Sequence, residues 1–114
     1  MSRVAVVDND AAVIQLLVLD LELEGHELLG TALNADDALR LCDETKPEVL
    51  VIDLRLGPGG MNCLDVAEQV RRPDLRIVLH TNYVTPDVVA RAKSLGVAVV
   101  EKGSLNALRR AIDA

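Results

Sequence analysis

Aromatic residues are almost absent from this sequence, whose 114 residues include one Tyr and neither Phe nor Trp. Base-stacking platforms for single-stranded nucleic acid and aromatic cages for organic cations each need several rings, so the composition excludes both. The hydrophobic fraction is nevertheless 50%, and a chain of this size hides about two-thirds of its unfolded surface on folding. We therefore expect a single domain across residues 1–114, with a core of Leu, Val, Ile and Ala.

Basic residues are too few for a nucleic-acid-binding surface. The chain has 12 Lys and Arg against 18 Asp and Glu, which gives a net charge of -6 and a pI near 4.8. Nucleic-acid binding depends on clustered cations that displace counterions from phosphates, and the only basic doublets are Arg71-Arg72 and Arg109-Arg110. We expect no direct nucleic-acid binding by this chain.

Long hydrophobic runs and paired cysteines are missing as well. No apolar run approaches the ~18 residues of a membrane span, and the N-terminal residues enter a strand pattern without the organisation of a signal peptide. We therefore expect a cytoplasmic protein without membrane association. Cys42 and Cys63 form no Cys-x-x-Cys motif, so we expect two buried, reduced thiols rather than a zinc or redox site.

Short apolar runs alternate with amphipathic stretches along the chain. The runs are uninterrupted, as in strands that are buried on both faces. Predicted strands span residues 4–7, 27–33, 49–52, 76–80 and 97–100, and predicted helices span residues 11–24, 35–44, 64–70, 86–95 and 105–112. The segment from Gly57 to Gly60 indicates a loop. Strands separated by helices pair in parallel through right-handed crossovers, so we expect an α/β fold with a five-stranded parallel sheet between two helix layers.

Polar residues follow the ends of the predicted strands, where sheets of this kind bind their ligands. These positions carry Asp8-Asn9-Asp10, Asp53, Thr81 and Lys102. Asp8 and Asp53 lie side by side if the first and third strands are neighbours, and two close carboxylates need a proton or a cation to offset their repulsion. Mg²⁺ suits such a pair, because it binds one or two carboxylates together with a carbonyl and water.

Thr81 and Lys102 add two groups that suit a phosphate. A hydroxyl can hydrogen-bond a phosphoryl oxygen, and an ammonium on a long stem can pair with a carboxylate or a phosphate. Carboxylates, a divalent cation, a hydroxyl and an ammonium are the components of phosphoryl transfer. The strand ends therefore predict a site for that chemistry.

Four motifs, in this order along the chain, resemble those of the receiver domain of two-component response regulators. They are Val6-Val7-Asp8-Asn9-Asp10, Val51-Ile52-Asp53-Leu54-Arg55, Leu79-His80-Thr81 and Glu101-Lys102. The resemblance covers essentially the whole chain. It implies a doubly wound, flavodoxin-like (βα)5 fold with the strand order 2-1-3-4-5.

The resemblance also implies roles for these residues. Asp53 would accept a phosphoryl group from a sensor histidine kinase, and Asp8, Asp53 and the backbone carbonyl of Arg55 would hold Mg²⁺. Thr81 would contact the phosphoryl group, and Lys102 would pair with Asp53 or its phosphate. The chain would catalyse its own phosphorylation and autodephosphorylation, would change conformation as a result, and would not be an enzyme with a separate substrate.

The sequence departs from the family pattern in several places. Asn9 stands where a second metal-binding acid is usual; its amide oxygen can bind Mg²⁺ but brings no charge, so a lower metal affinity is expected. The loop after Asp53 is two residues longer than the common form, Asn82 follows Thr81 where a small residue is typical, and Val99 stands near the position of an aromatic switch residue. These departures motivate an alternative, a degenerate receiver that acts as a phosphorylation-independent interaction or dimerisation module.

A small-molecule binder or enzyme on the same architecture is a third interpretation. It is disfavoured, because no Gly-rich phosphate-binding turn follows the first strand and the chain has no ring to stack on a flavin.

Three residues near the strand ends have structural interpretations of their own. Asp10 is expected to cap the first helix. His80 is expected to be a satisfied core or surface histidine, because its side chain alternates away from that of Thr81. Tyr83, the single ring, lies in the loop that the resemblance implies will move. We hypothesise that it reports the switch from this loop, or that the aromatic rotation usual in the family is missing.

The first helix is apolar over more of its surface than one sheet-facing stripe requires. Val13, Leu17 and Leu21 are predicted to face the sheet. The remaining apolar side chains need other cover, which either the last helix or a partner provides; they are Ile14, Val18, Leu19 and Leu23. A homodimer through this helix is therefore a hypothesis.

Overall fold

The computed structural model describes residues 1–55 and 62–114, and in these segments five strands alternate with five helices. The strands are β1 (Arg3–Val7), β2 (Glu27–Ala32), β3 (Val49–Ile52), β4 (Arg76–Thr81) and β5 (Ala98–Glu101). The helices are α1 (Ala11–Leu23), α2 (Ala35–Thr45), α3 (Cys63–Val70), α4 (Pro86–Leu95) and α5 (Leu105–Asp113). The predicted alternation is confirmed. The predicted loop from Gly57 to Gly60 and the longer connection after Asp53 lie outside the described residues.

Several element ends differ from the prediction by one or two residues. The fifth strand begins at Ala98 rather than Val97, because the Val97 N–H still donates to the Ala92 carbonyl at 2.8 Å and closes the end of α4. Gly96 makes this closure possible with a φ of 72°, a left-handed conformation that glycine adopts without steric cost. The fourth strand continues to Thr81, which pairs with Glu101. Helix ends of this kind depend on hydrogen bonds rather than on apolar periodicity.

The sheet is parallel throughout and has the order β2-β1-β3-β4-β5, as the sequence resemblance implies. Because β1 and β3 are neighbours, Val7 pairs with Ile52. The residues that follow them, Asp8 and Asp53, therefore lie side by side. The pairing of Thr81 with Glu101 likewise brings the start of the β5–α5 turn to the same edge.

The side chains of the strands alternate between the two faces, so the core has two halves. Against α1 and α5 lie Val4, Val6, Val49, Val51, Val78 and Val100. Against α2, α3 and α4 lie Ala5, Val7, Leu50, Ile52, Ile77 and Leu79. Aliphatic residues fill both halves, as the composition requires. Within the described residues, no helix is long and apolar enough to cross a membrane.

The buried stripe of α1 differs from the prediction. Ile14 is buried together with Leu17 and Leu21, while Val13 is only half-buried. The predicted stripe proceeds from Val13 in steps of four residues, which drift around a helix that turns once in about 3.6 residues. The observed stripe, with one step of three and one of four, stays closer to one face. Three leucines of α1 remain exposed, namely Leu16, Leu19 and Leu23.

A partly buried ion pair joins α1 to α5. Asp20 is 6% exposed, and its carboxylate accepts hydrogen bonds from the guanidinium of Arg109. A buried carboxylate without a partner would be strongly destabilising, so Arg109 makes this position tolerable. Sequence reasoning missed this pair, because its two residues lie 89 positions apart in the chain. The homodimer hypothesis for α1 stays a prediction.

The two cysteines are free and buried, as predicted. Burial raises the pKa of Cys42 to about 11 and, with the neighbouring charge of Asp53 as a second cause, that of Cys63 to about 12. Both thiols are therefore protonated in the folded protein at neutral and mildly alkaline pH.

We predict that the buried thiols make the fold less stable as the pH rises above about 8.5, where thiols of the unfolded chain begin to ionise. The folded thiols keep their protons up to about pH 11, so the unfolded state binds fewer protons and the free energy of unfolding falls as pH increases. Between pH 8 and pH 10 the wild type should lose about 3 kcal/mol more than the double variant Cys42→Ala, Cys63→Ala. Urea unfolding followed by circular dichroism measures this difference, and an equal decline in both proteins would contradict it.

Candidate functional site

Asp8 and Asp53 lie next to each other at the carboxyl edge of the sheet. The Asp53 N–H donates to the Val7 carbonyl at 2.9 Å, and the Asp8 N–H donates to the Ala32 carbonyl at 3.1 Å. Strand pairing thus continues through the backbone of both acids and fixes where their side chains begin. Asp8 is 1% exposed and Asp53 is 5% exposed, which makes their charges energetically expensive.

One oxygen of each carboxylate accepts a backbone hydrogen bond. Asp8 Oδ1 accepts from the Asp10 N–H at 2.9 Å, and Asp53 Oδ1 accepts from the Leu54 N–H at 2.8 Å. These short local bonds hold both carboxylates in fixed orientations, and the bond from Leu54 acts to lower the pKa of Asp53. The second oxygen of each carboxylate faces the same cation.

That cation is Lys102, which follows β5 directly. Its Nζ lies 3.0 Å from Asp8 Oδ2 and 3.4 Å from Asp53 Oδ2. The Lys102 N–H donates to the Thr81 carbonyl at 2.9 Å, which fixes the start of this side chain against β4. The structure thus contains the pairing with Asp53 that the sequence led us to expect. It also contains a shorter contact with Asp8, which sequence reasoning missed.

The charges at this edge do not balance. Burial raises the pKa of Asp53, the Asp8 carboxylate raises it further, and Lys102 and the Leu54 N–H offset part of this effect. Burial acts to lower the pKa of Lys102, but its hydrogen bonds and charge attraction to Asp8 and Asp53 outweigh burial and raise it. One ammonium therefore sits between two carboxylates, and one negative charge has no counterpart in this group.

The residues at this edge suit a hard divalent cation such as Mg²⁺. Asp8 and Asp53 supply carboxylate oxygens with an uncompensated charge, and the backbone carbonyl of Arg55 is the further oxygen that the family resemblance implies. No group of three or more His, Cys, Asp or Glu side chains in residues 1–55 and 62–114 could hold a metal. Water would therefore complete the coordination, as is usual for Mg²⁺.

The other two polar residues after β1 do not join the carboxylate pair. Asp10 caps α1, as predicted, and its Oδ1 accepts from the Ala12 N–H at 2.9 Å. Asn9 is exposed. The acidic group of the site thus consists of Asp8 and Asp53.

Thr81 is fully buried at the end of β4, beside the carboxylate pair in the sheet. Its Oγ1 accepts a hydrogen bond from the Tyr83 N–H at 3.0 Å. The ring of Tyr83 lies against Arg55, whose Cζ is 4.0 Å from the ring centroid. This cation–π contact joins the chain after β3 to the chain after β4. Sequence reasoning placed both residues near the site but gave no signal that they touch.

His80 departs from the prediction. It is buried, so it is a core rather than a surface histidine. However, its Nδ1 has no hydrogen-bond partner among the described residues, whereas a satisfied side chain was expected. Burial lowers the pKa of His80, and the nearby charge of Lys102 lowers it further against a smaller opposing effect of Asp8. The side chain is therefore a neutral, buried imidazole with one unsatisfied nitrogen. Its orientation away from Thr81 follows from strand alternation.

We predict that Asp53→Asn stabilises the protein in the absence of divalent cations. The substitution removes a desolvated charge and its repulsion with Asp8, and it leaves Lys102 and Asp8 as a balanced pair. The free energy of unfolding in EDTA at pH 7.5 should rise, because burial and Asp8 raise the pKa of the Asp53 carboxyl and so disfavour its charged form in the folded protein. Urea unfolding is the measurement, and Asp10→Asn, which changes the charge equally at an exposed helix cap, should not raise stability. A loss of stability in Asp53→Asn would show that the carboxylate is not strained.

Comparison with known proteins agrees with this arrangement. The sequence model of the response regulator receiver domain matches residues 4–113. The chain is 34% identical over 110 residues to the photosynthetic apparatus regulatory protein RegA of Cereibacter sphaeroides, covering 95% of this chain and 54% of RegA. It is 33% identical over 82 residues to the transcriptional regulatory protein AfsQ1 of Streptomyces coelicolor, covering 71% of this chain and 35% of AfsQ1. The matches thus span about a third to a half of the length of these relatives.

The fold also matches a solved structure. A CheY-like response regulator receiver domain protein from Methanospirillum hungatei JF-1 superimposes with a TM-score of 0.90 at 22% sequence identity, over 99% of this chain and 91% of that chain. At this identity the likeness concerns the fold. The family match covers nearly the whole sequence, and the chain therefore belongs to the family of receiver domains of two-component response regulators.

Proposed function

We propose that this chain accepts a phosphoryl group on Asp53 from a phosphohistidine of a sensor histidine kinase, in a Mg²⁺-dependent reaction that its own residues catalyse. The observation that carries the proposal is the buried pair of Asp8 and Asp53 with Lys102 between them, at distances of 3.0 and 3.4 Å. A carboxylate pair with one unit of excess negative charge binds a divalent cation, and the resulting site is suited to a phosphoryl group.

The transfer forms a bond between an Asp53 oxygen and phosphorus and breaks the bond between phosphorus and the histidine nitrogen. The electron pair of the broken bond stays on the imidazole, which takes up a proton from solvent. The Leu54 N–H holds one oxygen of Asp53 at 2.8 Å and so restricts rotation of the nucleophile. This restriction lowers the entropic cost of reaching an in-line geometry.

Asp8, Asp53 and the carbonyl of Arg55 would hold Mg²⁺, which when bound neutralises charge on the phosphoryl oxygens. Lys102 adds a second positive charge at the same position. Thr81 has a hydroxyl proton to donate to a phosphoryl oxygen, since its Oγ1 acts as an acceptor for Tyr83. Attack of water on the phosphorus breaks its bond to the Asp53 oxygen, releases inorganic phosphate and returns Asp53 to a carboxylate, so autodephosphorylation needs no second protein.

The output of the chain would be a change in the segment after β4. Thr81 is tied to Tyr83, and Tyr83 lies on Arg55, so a turn of the Thr81 side chain towards a phosphoryl group affects both connections. RegA and AfsQ1 are named as regulatory proteins, and we propose that this chain likewise serves as the input domain of a regulatory response.

A degenerate receiver is the second candidate, and Asn9 favours it. This residue is exposed and uncharged where the family usually has a second acid, so the site has two carboxylates rather than three. A weaker metal site would leave the chain as an interaction or dimerisation module that works without phosphorylation.

We predict that incubation with acetyl phosphate and Mg²⁺ adds one phosphoryl group to the wild type and none to Asp53→Asn. Asp43→Asn is the matched control, because it removes the same charge from the exposed surface of α2 and should be modified like the wild type. Intact mass spectrometry measures the addition, and EDTA should abolish it. Absence of the added mass in every protein would favour the degenerate receiver.

We also predict that Tyr83 fluorescence changes when beryllofluoride and Mg²⁺ are added as a phosphoryl analogue. The ring should alter its contact with Arg55 once the Thr81 hydroxyl turns towards the analogue, and no Trp interferes with the signal. Thr81→Val removes the hydroxyl but keeps the side-chain shape, and it should abolish the change. A signal of the same size in Thr81→Val would mean that Tyr83 responds to something other than Thr81.

A further inference from the structure

The first helix carries a second apolar row that faces solvent. Leu16, Leu19 and Leu23, the outer leucine row, are 53%, 61% and 82% exposed. Each of them follows a buried residue of α1 by two positions, which corresponds to about 200° around a helix. The buried residues are Ile14, Leu17 and Leu21. Helix α1 therefore has apolar rows on nearly opposite sides, and the described part of the chain leaves one of them largely open.

The spacing of the outer leucine row suits contact with another helix. Counted from the exposed Ala12, successive members lie four, three and four positions apart. This is the spacing of the apolar residues where two helices pack along each other. Single exposed leucines are common on protein surfaces, whereas an apolar row along a surface helix indicates a contact.

The charges beside the row differ on its two sides. Asp20 lies about 70° to one side, towards α5, where its carboxylate pairs with Arg109. Glu22 lies about 90° to the other side. Glu22 on α1 and Arg110 on α5 are both exposed, and neither forms an ion pair with another described residue. The outer surface of α1 and α5 thus offers a free acid on one side of the leucines and a free base on the other.

We propose that two copies of this chain associate through α1 around a twofold axis parallel to this helix. The two outer leucine rows then meet, and Glu22 of each copy pairs with Arg110 of the other. The surface supplies an apolar row, an acid and a base, so a second copy is complementary to it without any further feature. This contact lies outside the phosphoacceptor site and does not depend on phosphorylation of Asp53.

The positions of the two charges select the parallel orientation. With the axis parallel to α1, the Glu22 side of each helix lies against α5 of the second copy, so that an acid meets a base. A perpendicular axis would make the two helices antiparallel and bring the two Glu22 sides together, with both Arg110 side chains on the opposite side. Like charges placed together across an interface disfavour binding.

The outer leucine rows alone form a small contact. Stable protein interfaces bury roughly 1,200–2,000 Å² in total, and three leucines from each copy fall short of this area. The parallel arrangement adds the outward face of α5 from each copy. We therefore expect a weak dimer whose population depends on protein concentration.

Sedimentation velocity of the full, unphosphorylated chain in EDTA tests this association. Between about 10 µM and about 1 mM the protein should pass from monomer to dimer. Leu19→Ala should weaken association about tenfold or more, because both copies lose a leucine from the middle of the contact. Leu33→Ala is the matched control, since Leu33 is 50% exposed and lies outside α1, directly after β2. It should leave association unchanged.

Charge reversal tests the pairing between copies. Glu22→Arg and Arg110→Glu should each weaken association about fivefold. An equimolar mixture of these two variants should associate like the wild type, because each contact of the mixed dimer again joins an acid to a base. A pairing within one chain would not be restored by mixing. Glu44→Arg makes the same charge change on the exposed surface of α2 and should not weaken association.

Three results would overturn the inference. A monomer at every concentration would leave the outer leucine row to a different protein. Equal effects of Leu19→Ala and Leu33→Ala would place the contact elsewhere on the chain. A mixture of the two charge variants that associates no better than either variant alone would exclude the pairing of Glu22 with Arg110 and, with it, the parallel arrangement.

Discussion

The ammonium of Lys102 between the carboxylates of Asp8 and Asp53 is the interaction on which the functional edge depends. Two buried carboxylates at neighbouring strand ends repel each other, and burial alone already raises the pKa of Asp53. Lys102 reduces this cost but carries one charge against two, so the edge is stable enough to fold while it still attracts a cation. Balancing the charges fully would remove the electrostatic basis of the proposed Mg²⁺ binding.

The hydrophobic sheet is what allows this arrangement to exist. Adjacent β1 and β3 put the two acids side by side, and the backbone bond from Asp53 to Val7 at 2.9 Å sets their register. The bond from Lys102 to the Thr81 carbonyl, also 2.9 Å long, does the same for the cation. Burial of the aliphatic strands thus supplies the free energy that holds the charged groups of Asp8, Asp53 and Lys102 close together.

Much of this could be predicted from the sequence, for a physical reason. Uninterrupted apolar runs separated by helices permit few topologies, so the sheet and the residues at its edge follow from local patterns and from the family motifs. The contact of Arg55 with Tyr83 and the pairing of Asp20 with Arg109 could not be predicted, because each joins residues that are distant in the chain. The error at Ile14 has a local cause, since steps of four residues from Val13 drift around a helix that turns once in about 3.6 residues.

The scarcity of rings bears on how the proposed phosphorylation of Asp53 would affect the rest of the chain. Val99 on β5 is partly buried against the α2–α4 side of the core and has no polar group that could exchange one partner for another. Tyr83 makes two contacts that can change. Its backbone N–H donates to Thr81 Oγ1 at 3.0 Å, and its ring centroid lies 4.0 Å from Arg55 Cζ. If Thr81 rearranges on phosphorylation, the change would therefore alter the contacts of Tyr83 and Arg55, in the loops after β4 and β3, rather than those of Val99 on β5.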